Sequence, residues 1–395
     1  MNTKQIQEKT EQNVLHTYNR FPVAFVRGEG IFLYDAEGNA YLDFAAGIAV
    51  NALGHGDTEL TTALKEQIDT LIHTSNLYYH DQLAEASEKL VKAAKLDKVF
   101  FTNSGTEAVE GAIKAARKYA WMKDGRNDHE IIAMQNSFHG RSLGALSVTG
   151  NEHYQVPFRP LIGGIRFAQF NNLESVREQV NDKTCAIIME TVQGEGGIYP
   201  AEPSFLNGIR KICDEQDILL ILDEIQCGMG RCGAMFAWQD YDVQPDIMTV
   251  AKAIGCGIPV GAFLLNAKAA ERTLVPGDHG TTYGGNPLAC RAVSTVLDIF
   301  EKRNLVKHVN EMTPYFENKL EELVKEVPCL TARRGKGFLQ GLVVSGRPVG
   351  EVIRHALENG LLIISAGTDV IRLAPPLVVE KEDIDRMIDI LKKSF

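Results

Sequence analysis

The sequence predicts an α/β protein with a large domain on a mostly parallel, seven-stranded sheet and a smaller α+β domain. From about residue 60 onward, short apolar runs alternate with segments of helical periodicity. A helical segment at residues 203–216 lies between two of these runs and fits a right-handed crossover between parallel strands. Seven such runs with helical connections indicate a sheet that helices cover on both faces.

The elements follow in order along the chain. Residues 28–44 contain two short apolar segments around an Asp-x-x-Gly turn, which predicts a β-hairpin near the N-terminus. Helices are predicted at residues 60–70 and 82–95. The seven candidate strands are residues 99–101, 131–134, 165–167, 186–189, 218–222, 247–250 and 262–265.

The C-terminal third mixes helices with short strands. It begins with a long helix over residues 287–302 and ends with an amphipathic helix over residues 380–393. Strands are predicted at residues 337–344 and 370–373. We therefore expect a large domain of residues 51–289 and a small domain in which residues 1–50 join residues 290–395.

Composition and charge limit the partners of this chain. Its 395 residues include 41 basic and 51 acidic ones, for a net charge of −10, which argues against nucleic acid as the main partner. The longest aliphatic run is residues 218–222, too short for a membrane span, and the polar residues 1–19 do not resemble a secretory signal. Seven scattered cysteines without a C-x-x-C pair indicate reduced thiols. We expect a cytoplasmic protein with small-molecule partners and no membrane association.

Ligands in open α/β sheets bind beyond the carboxyl ends of the strands, so the residues after each run are the first candidates. The run at residues 99–101 is followed by Ser104, Gly105 and Thr106, with Glu107 completing a capping-box pattern. This predicts a helix over residues 107–120 whose N-terminus offers N–H groups and a hydroxyl to a phosphate. On this motif alone, a well-capped helix without a ligand explains the pattern better.

Two charged residues follow other strands. Asp223 comes directly after the run at residues 218–222, and a carboxylate at the end of a buried strand is costly unless it is paired or used. Lys252 follows the run at residues 247–250 among small and apolar neighbours, where desolvation lowers the pKa of an amine and favours its nucleophilicity. The structural alternative for Lys252 is a side chain that extends to the surface.

A third pattern is misleading. Residues 228–233 spell G-x-G-x-x-G after a strand, but no helical segment follows, as a dinucleotide site would require. Cys227 precedes this segment and Cys232 lies within it, without further cysteine or histidine ligands nearby, so we expect no metal site.

Taken together, the Ser-Gly-Thr turn, Asp223 and Lys252 indicate pyridoxal 5'-phosphate. That cofactor requires a phosphate-binding turn, an acid for its ring nitrogen and a lysine that binds it covalently.

The sequence resembles the class III, fold-type-I aminotransferases over almost its whole length, and within them the branch that acts on N2-acetylornithine. The segments that carry the resemblance are residues 41–55, 101–108, 137–141, 222–228, 251–255 and 279–287. The family implies a ping-pong reaction that moves the δ-amino group of N2-acetylornithine to 2-oxoglutarate. The products are N-acetylglutamate 5-semialdehyde and glutamate, in arginine biosynthesis. It also implies a homodimer with shared active sites.

The resemblance assigns roles to residues. The implied cofactor-binding set is Gly105, Thr106, Phe138, Asp223, Glu224, Ile225, Gln226, Lys252 and Thr282, the last contributed by the neighbouring subunit. Lys252 and Asp223 are the implied catalytic residues: Lys252 would carry the proton between donor and cofactor, and Asp223 would pair with the ring nitrogen. Phe138 and Ile225 would contact the two ring faces, and Gln226 the phenolic oxygen; many relatives have Val where this chain has Ile225.

Four further residues are implied in substrate binding. Arg141 would bind a substrate carboxylate, Thr281 the acetylated end, and Glu195 with Arg372 would form a gate near the reacting carbon. Taken singly, Phe138, Arg141 and Gln226 fit structural roles equally well; their joint order along the chain favours the site.

The donor depends on finer features. Relatives that use free ornithine carry a tyrosine where this sequence has Ile48, and an aliphatic side chain cannot hydrogen-bond an α-ammonium group. Succinylornithine, ornithine and 4-aminobutyrate remain alternative donors. A non-catalytic regulatory protein that binds the same cofactor is the alternative from a different class.

Overall fold

The computed structural model describes all residues from Met1 to Phe395. Its strands are β1 (Phe25–Glu29), β2 (Phe32–Asp35), β3 (Ala40–Asp43), β4 (Lys98–Thr102), β5 (Glu130–Met134), β6 (Ile165–Ala168), β7 (Thr184–Glu190), β8 (Val192–Gln193), β9 (Tyr199–Pro200), β10 (Leu219–Asp223), β11 (Ile247–Val250), β12 (Gly261–Leu265), β13 (Leu330–Lys336), β14 (Leu339–Val344), β15 (Leu361–Leu362), β16 (Ile364–Ala366) and β17 (Val370–Leu373).

Helices connect these strands. They are α1 (Thr3–Asn13), α2 (Ala46–Ala49), α3 (Thr58–Thr70), α4 (Asp81–Ala94), α5 (Gly105–Asp124), α6 (Leu143–Ser147), α7 (Glu152–Gln155), α8 (Leu173–Gln179), α9 (Pro203–Gln216), α10 (Ala267–Glu271), α11 (Pro287–Lys302), α12 (Leu305–Glu326), α13 (Val349–Glu358) and α14 (Lys381–Lys392). Short 3-10 turns occur at Val156–Phe158, Ala237–Tyr241 and Lys252–Ile254.

The predicted seven-stranded sheet is confirmed. Its strand order is β4-β12-β11-β10-β7-β5-β6, and β12 alone runs antiparallel to its neighbours. Each predicted run forms one of these strands, with ends that differ by a few residues at most. The carboxyl ends of the six other strands therefore lie along one edge of the sheet.

Side chains from this sheet pack on both of its faces. Along β7 and β10, alternate residues belong to two separate apolar clusters: Ile187 and Leu220 lie in one, Ile188 and Ile221 in the other. This explains why the strands are apolar throughout rather than alternating, since neither face is exposed to water. Helix α5 packs on the second cluster through Val109, and α9 packs on the first through Ile209.

Local signals determine where the helices begin. Pro203 and Pro287 occupy the first turns of α9 and α11, where a missing N–H group is harmless. Ser104 accepts a hydrogen bond from the N–H group of Glu107, so α5 begins at Gly105, two residues before the predicted start. The second half of the predicted capping box differs: the Glu107 carboxylate accepts from the backbone N–H of Asn103, one residue earlier.

Two four-stranded sheets and the two-stranded β8–β9 sheet complete the fold. The predicted N-terminal hairpin is β2–β3; β1 extends it on one side, and β15 from the C-terminal third pairs with β3 on the other. The other four-stranded sheet has the order β13-β14-β17-β16 and consists of antiparallel pairs. The N-terminal hairpin and the C-terminal third are thus joined by backbone hydrogen bonds.

No helix is both long and apolar enough to cross a membrane. All seven cysteines are free thiols. No group of three or more histidine, cysteine or acidic side chains is arranged to hold a metal ion.

Candidate active site

A cavity of about 470 Å³ opens at the carboxyl edge of the large sheet. The loops that follow β4, β5, β7, β10 and β11 contribute to its walls. Eight of the predicted site residues line it: Gly105, Thr106, Phe138, Arg141, Asp223, Ile225, Gln226 and Lys252. Segments separated by up to about a hundred and fifty residues in sequence thus meet in one place, as expected for the strand-end edge of an α/β sheet.

One end of the cavity is the N-terminus of α5. The N–H groups of the first turn, at Gly105 and Thr106, have no partners within the helix and carry the positive end of its dipole. The backbone at Gly105 packs closely against the Ile225 side chain, so that only glycine fits: a Cβ atom there would lie 2.8 Å from Cδ1 of Ile225. The Thr106 hydroxyl lies 2.7 Å from that of Ser142. This end can bind an anion such as a phosphate.

A buried carboxylate–imidazole pair lies deeper in the site. Asp223 ends β10, and its Oδ2 accepts a hydrogen bond of 2.7 Å from Nδ1 of His139. Its Oδ1 accepts from the N–H group of Ile225 at 3.0 Å. Burial lowers the pKa of His139, but the hydrogen bond and charge of Asp223, with the charge of Glu190, outweigh it, so that pKa is raised.

Glu190 adds a second carboxyl group to this region. It ends β7 and is the direct ladder partner of Asp223 on β10. Burial raises its pKa to about 8, although the N–H groups of Phe138 and Gly194 donate to its carboxyl oxygens. At neutral pH Glu190 is therefore mostly protonated, beside the side chain of Asp223.

Lys252 lies just beyond β11 in the left-handed region, with φ +51°. A non-glycine residue in this region is uncommon and is often found at functional sites. Burial lowers the pKa of Lys252 to about 8, against the smaller opposing influence of Glu195. The amine is thus much closer to its neutral, nucleophilic form than an exposed lysine at neutral pH.

Glu195 and Arg372 form an ion pair next to the cavity. Nη1 of Arg372 donates to Oε1 of Glu195 at 2.5 Å and to Oε1 of Gln226 at 2.9 Å. Arg372 is buried, whereas the Glu195 side chain keeps 29% of its surface exposed. Burial raises the pKa of Glu195, but the positive charge of Arg372 outweighs it and holds that pKa below the ordinary value. Glu195 therefore stays ionised and is the more accessible member of the pair.

The mouth of the cavity is aromatic and cationic. Arg141 is exposed, and its guanidinium group lies 3.8 Å from the ring centre of Tyr154 and 5.5 Å from that of Phe138. Phe138 and Tyr154 meet edge to face. An arginine held against two rings presents a fixed donor array, suited to a carboxylate that enters from solvent.

Five predicted residues do not line the cavity: Glu195 and Arg372 lie next to it, and Glu224, Thr281 and Thr282 are the other three. Both carboxyl oxygens of Glu224 accept hydrogen bonds from the backbone of Ala237 and Trp238, on the far side of the loop. Thr282 is exposed. The Thr281 hydroxyl accepts from the amide of Asn103, which does line the cavity.

A strained turn lies beside the site. Ala46, Gly47, Ile48 and Ala49 all have positive φ, between 47° and 66°, which costs non-glycine residues roughly 1–2 kcal/mol each. Asp43 supports the turn: its Oδ1 accepts from the N–H groups of Ala45 and Ala46. Ile48 is 45% exposed and stands two residues before Val50, which lines the cavity.

Two residues of the site were not predicted. His139 lies within a segment used to identify the family, but its contact with Asp223 joins residues 84 positions apart. Glu190 directly follows a predicted strand, so the rule that found Asp223 would have found it too.

These residues fit pyridoxal phosphate. The α5 N-terminus suits its phosphate, Asp223 its ring nitrogen and Lys252 its aldehyde carbon. Gly105 and Gly194 keep this space open: a Cβ atom at Gly194 would lie 2.3 Å from Oε1 of Gln226.

Comparison with known proteins identifies the family of this chain. The family model "Aminotransferase class-III" matches residues 14–395. The acetylornithine aminotransferase of Caldanaerobacter subterraneus subsp. tengcongensis is 48% identical over 378 residues, which is 96% of each chain. That of Methanocaldococcus jannaschii is 46% identical over 381 residues, covering 96% of this chain and 95% of the relative.

Solved structures include proteins named for two donors. The ornithine aminotransferase of Toxoplasma gondii superimposes with a TM-score of 0.96 at 29% identity, covering 100% of this chain and 95% of that one. The acetylornithine aminotransferase of Elizabethkingia anophelis gives a TM-score of 0.88 at 33% identity, covering 100% and 99%. The chain therefore belongs to the class-III aminotransferases, which are enzymes that depend on pyridoxal phosphate.

Proposed function

We propose that this enzyme moves the δ-amino group of N2-acetylornithine to 2-oxoglutarate, within arginine biosynthesis. The products are N-acetylglutamate 5-semialdehyde and glutamate. The observation that carries the proposal is the Glu195–Arg372 pair, which contacts the cavity through Gln226, together with Arg141 in the cavity wall. Arg372 is thus a cation that Glu195 can neutralise, and Arg141 is a cation that remains available to a substrate carboxylate.

Pyridoxal phosphate, when bound, supplies the electron sink that stabilises negative charge at the reacting carbon. Gly105 and Thr106 would hold its phosphate through their N–H groups. Asp223 would keep the ring nitrogen protonated, because an ionised carboxylate stabilises a neighbouring cation. His139 holds that carboxylate in place by its hydrogen bond to Oδ2.

The remaining contacts would orient the ring. Phe138 and Ile225 line the cavity and would contact its two faces, and the Gln226 amide would reach the phenolic oxygen. Lys252 would hold the cofactor covalently and then, as a free amine, move a proton from the donor carbon to the cofactor carbon. Its lowered pKa, about 8, suits a group that must both accept and release a proton near neutral pH.

The two substrates place different charges in the same cavity. N2-acetylornithine has no carboxylate at the reacting carbon, so Glu195 would stay paired with Arg372 and only Arg141 would bind a carboxylate. 2-Oxoglutarate has carboxylates at both ends, so Glu195 would release Arg372 to receive one of them. An arginine left unpaired in a buried site is costly, which explains why a partner is needed for the first substrate.

Two observations support N2-acetylornithine as the donor: the names of similar relatives and the identity of residue 48. The two relatives at 46–48% identity described above are named acetylornithine aminotransferases. Free ornithine is a weaker candidate in spite of the structural likeness, because Ile48 offers no acceptor for an α-ammonium group.

We also propose a homodimer, with Thr282 reaching the cofactor phosphate of the neighbouring subunit. Thr282 is exposed, and so is the large side chain of Tyr283 next to it in sequence. Leu77 and Tyr79, on the loop that faces this segment, are exposed as well. Such a surface is typical of a protein contact. A cytoplasmic location is supported by the seven free thiols, a state that reducing compartments maintain.

The domain boundaries are part of the proposal: residues 51–289 as the cofactor-binding domain, and residues 1–50 with 290–395 as the small domain. The pairing of β15 with β3 supports this division, because it joins the N-terminal hairpin to the C-terminal third.

Removal of the lysine tests the function. Lys252→Ala should fold and bind cofactor without a covalent bond, and lose nearly all turnover. A general acid–base role alone is worth ~10²–10⁴-fold in rate, and covalent binding adds to it. Turnover within about tenfold of wild type would contradict the proposal.

A further inference from the structure

The misleading glycine motif contains a fully buried arginine. Arg231 is only 2% exposed and is the largest side chain that is fully buried in the protein. Its Nη1 donates to the backbone carbonyls of Phe338, at 3.4 Å, and of Pro375. Nη2 is buried without a hydrogen-bond partner. Neither hydrogen bond goes to a carboxylate, so the charge is not neutralised by an ion pair.

Such an arrangement is expensive for stability alone. A buried arginine loses its hydration, and apolar residues of similar volume often replace buried charges without loss of stability. Burial lowers the pKa of Arg231 to about 10, so that the group is still a cation at neutral pH. We therefore explain the arginine at position 231 by the backbone groups that it holds in place.

Both acceptors lie at the same end of the small sheet. Phe338 directly precedes β14, and Pro375 follows the last residue of β17 by two positions. Because β14 and β17 are antiparallel, the start of one adjoins the end of the other, and Arg372 lies at that end, paired with Gly341. Arg231 thus binds the two strands that position Arg372.

The backbone of Arg231 makes a matching contact. Its carbonyl accepts a hydrogen bond of 2.8 Å from the N–H group of Phe338. The contact is tight, because a Cβ atom on Gly337, at φ +60°, would lie 2.5 Å from that carbonyl oxygen. The turn before β14 is thus held by both the side chain and the main chain of one residue.

The same loop also contacts Arg372 directly. It begins after Asp223, the last residue of β10, and Gln226 lies on it five residues before Arg231. Oε1 of Gln226 accepts a hydrogen bond from Nη1 of Arg372. The loop therefore reaches β17 at two points, through the Arg372 side chain and through the backbone of Pro375.

We propose that Arg231 is a positioning residue, which fixes the end of β17 against the loop after β10 and so sets the place of Arg372 relative to Gln226 and Glu195. This inference rests on the proposed function, in which Arg372 binds the substrate carboxylate next to the reacting carbon. Arg231 itself touches neither substrate nor cofactor.

The role predicts a selective loss of activity. Glutamate needs Arg372 for its α-carboxylate, whereas N2-acetylornithine leaves Arg372 paired with Glu195. A displacement of about 1 Å can cost on the order of 10²-fold in rate, so Arg231→Met should lower kcat/KM for glutamate by ~10²-fold. The loss with N2-acetylornithine should be at least about tenfold smaller. Arg231→Lys, which keeps the charge but not the forked geometry, should fall between wild type and Arg231→Met.

The experiment measures both half-reactions by stopped-flow absorbance on cofactor-loaded protein. Arg210→Met is the matched control, because Arg210 is largely buried and paired with Asp246 at the far side of the large domain. We expect the control to leave the ratio of the two specificity constants within about threefold of wild type. If Arg231→Met does not fold, Arg231→Lys and Gly337→Ala, which displaces the same contact from the other side, carry the test.

A double-mutant cycle with Arg372→Lys separates positioning from general damage. If Arg231 acts through Arg372, adding Arg231→Met to Arg372→Lys should change the glutamate constant by less than about threefold. Multiplicative losses, or equal losses for both donors in Arg231→Lys and Gly337→Ala, would overturn the proposal. If the wild-type enzyme does not use N2-acetylornithine, the proposed donor is wrong, not the positioning role of Arg231. The double-mutant cycle can then still be measured with glutamate.

Discussion

His139 donates a hydrogen bond from Nδ1 to Oδ2 of Asp223 over 2.7 Å, and both side chains are buried. The pair joins the loop after β5 to the end of β10. It fixes the direction of the Asp223 carboxylate, and Glu190 lies beside it on β7. Under the proposed function, the charge at the ring nitrogen would depend on a contact that neither sequence segment reveals by itself.

The first prediction concerns that charge. Asp223→Asn keeps the shape of the side chain but removes the charge that stabilises a protonated ring nitrogen. We expect weaker cofactor retention and a fall in turnover of at least ~10²-fold. The measurement is steady-state turnover with cofactor occupancy determined by absorbance. Unchanged turnover at full occupancy would mean that Asp223 has no part in activating the cofactor.

The second prediction concerns the gate. Glu195→Ala leaves Arg372 without its ionic partner, so the first half-reaction with N2-acetylornithine should slow, while glutamate should bind as well or better. We expect the ratio of the two specificity constants to shift toward glutamate by about 10-fold or more. This is less than the ~3–5 kcal/mol for breaking a fully buried charge pair, because the Glu195 side chain is 29% exposed. Stopped-flow measurement of the separate half-reactions gives this ratio.

Glu202→Ala is a suitable control for Glu195→Ala, because Glu202 is an exposed glutamate at the start of α9. It should leave both half-reactions unchanged. Equal effects of Glu195→Ala on both half-reactions, or none on either, would exclude a gating role.

The third prediction concerns pH and the stability of the cofactor-free protein. Burial lowers the pKa of Lys252 from 10.5 to about 8. Below about pH 8 both the folded and the unfolded chain hold this proton, so the folded state carries the whole penalty of a buried charge. Between about pH 8 and about pH 10.5 the unfolded chain binds more protons, so the free energy of unfolding rises with pH.

Lys252→Met removes this titration. At about pH 7 the cofactor-free variant should therefore be more stable than the cofactor-free wild type, by on the order of 3 kcal/mol. The difference should shrink as the pH rises through that window. Urea unfolding at about pH 7 and about pH 9.5 measures it. A difference that is constant with pH would show that Lys252 is not desolvated.

Much of the large domain could be predicted from the sequence. Buried parallel strands are apolar throughout, so residues 186–189 and 218–222 stood out, and Pro203 and Pro287 mark helix starts directly. Asp223 and Lys252 were found by the same logic, because charged residues are rare at the ends of such strands.

Other features depend on tertiary structure. The left-handed conformation of Ile48 could not be predicted, because a β-branched residue disfavours it and Asp43 supports it only in the folded chain. Glu224 shows the reverse case: beside Asp223 in sequence it resembled a site residue, but consecutive residues leave a strand end in different directions. Its carboxylate is bonded to the backbone of Ala237 and Trp238.

The most direct test of the whole account is a donor comparison with the wild-type holoenzyme and 2-oxoglutarate as acceptor. The specificity constants for N2-acetylornithine, ornithine and 4-aminobutyrate are measured under one set of conditions. Ile48 cannot hydrogen-bond an α-ammonium group, and apolar contacts discriminate by roughly 10–200-fold. We expect the specificity constant for N2-acetylornithine to exceed that for ornithine by at least about tenfold, and also to exceed that for 4-aminobutyrate. A higher constant for either ornithine or 4-aminobutyrate would contradict this expectation.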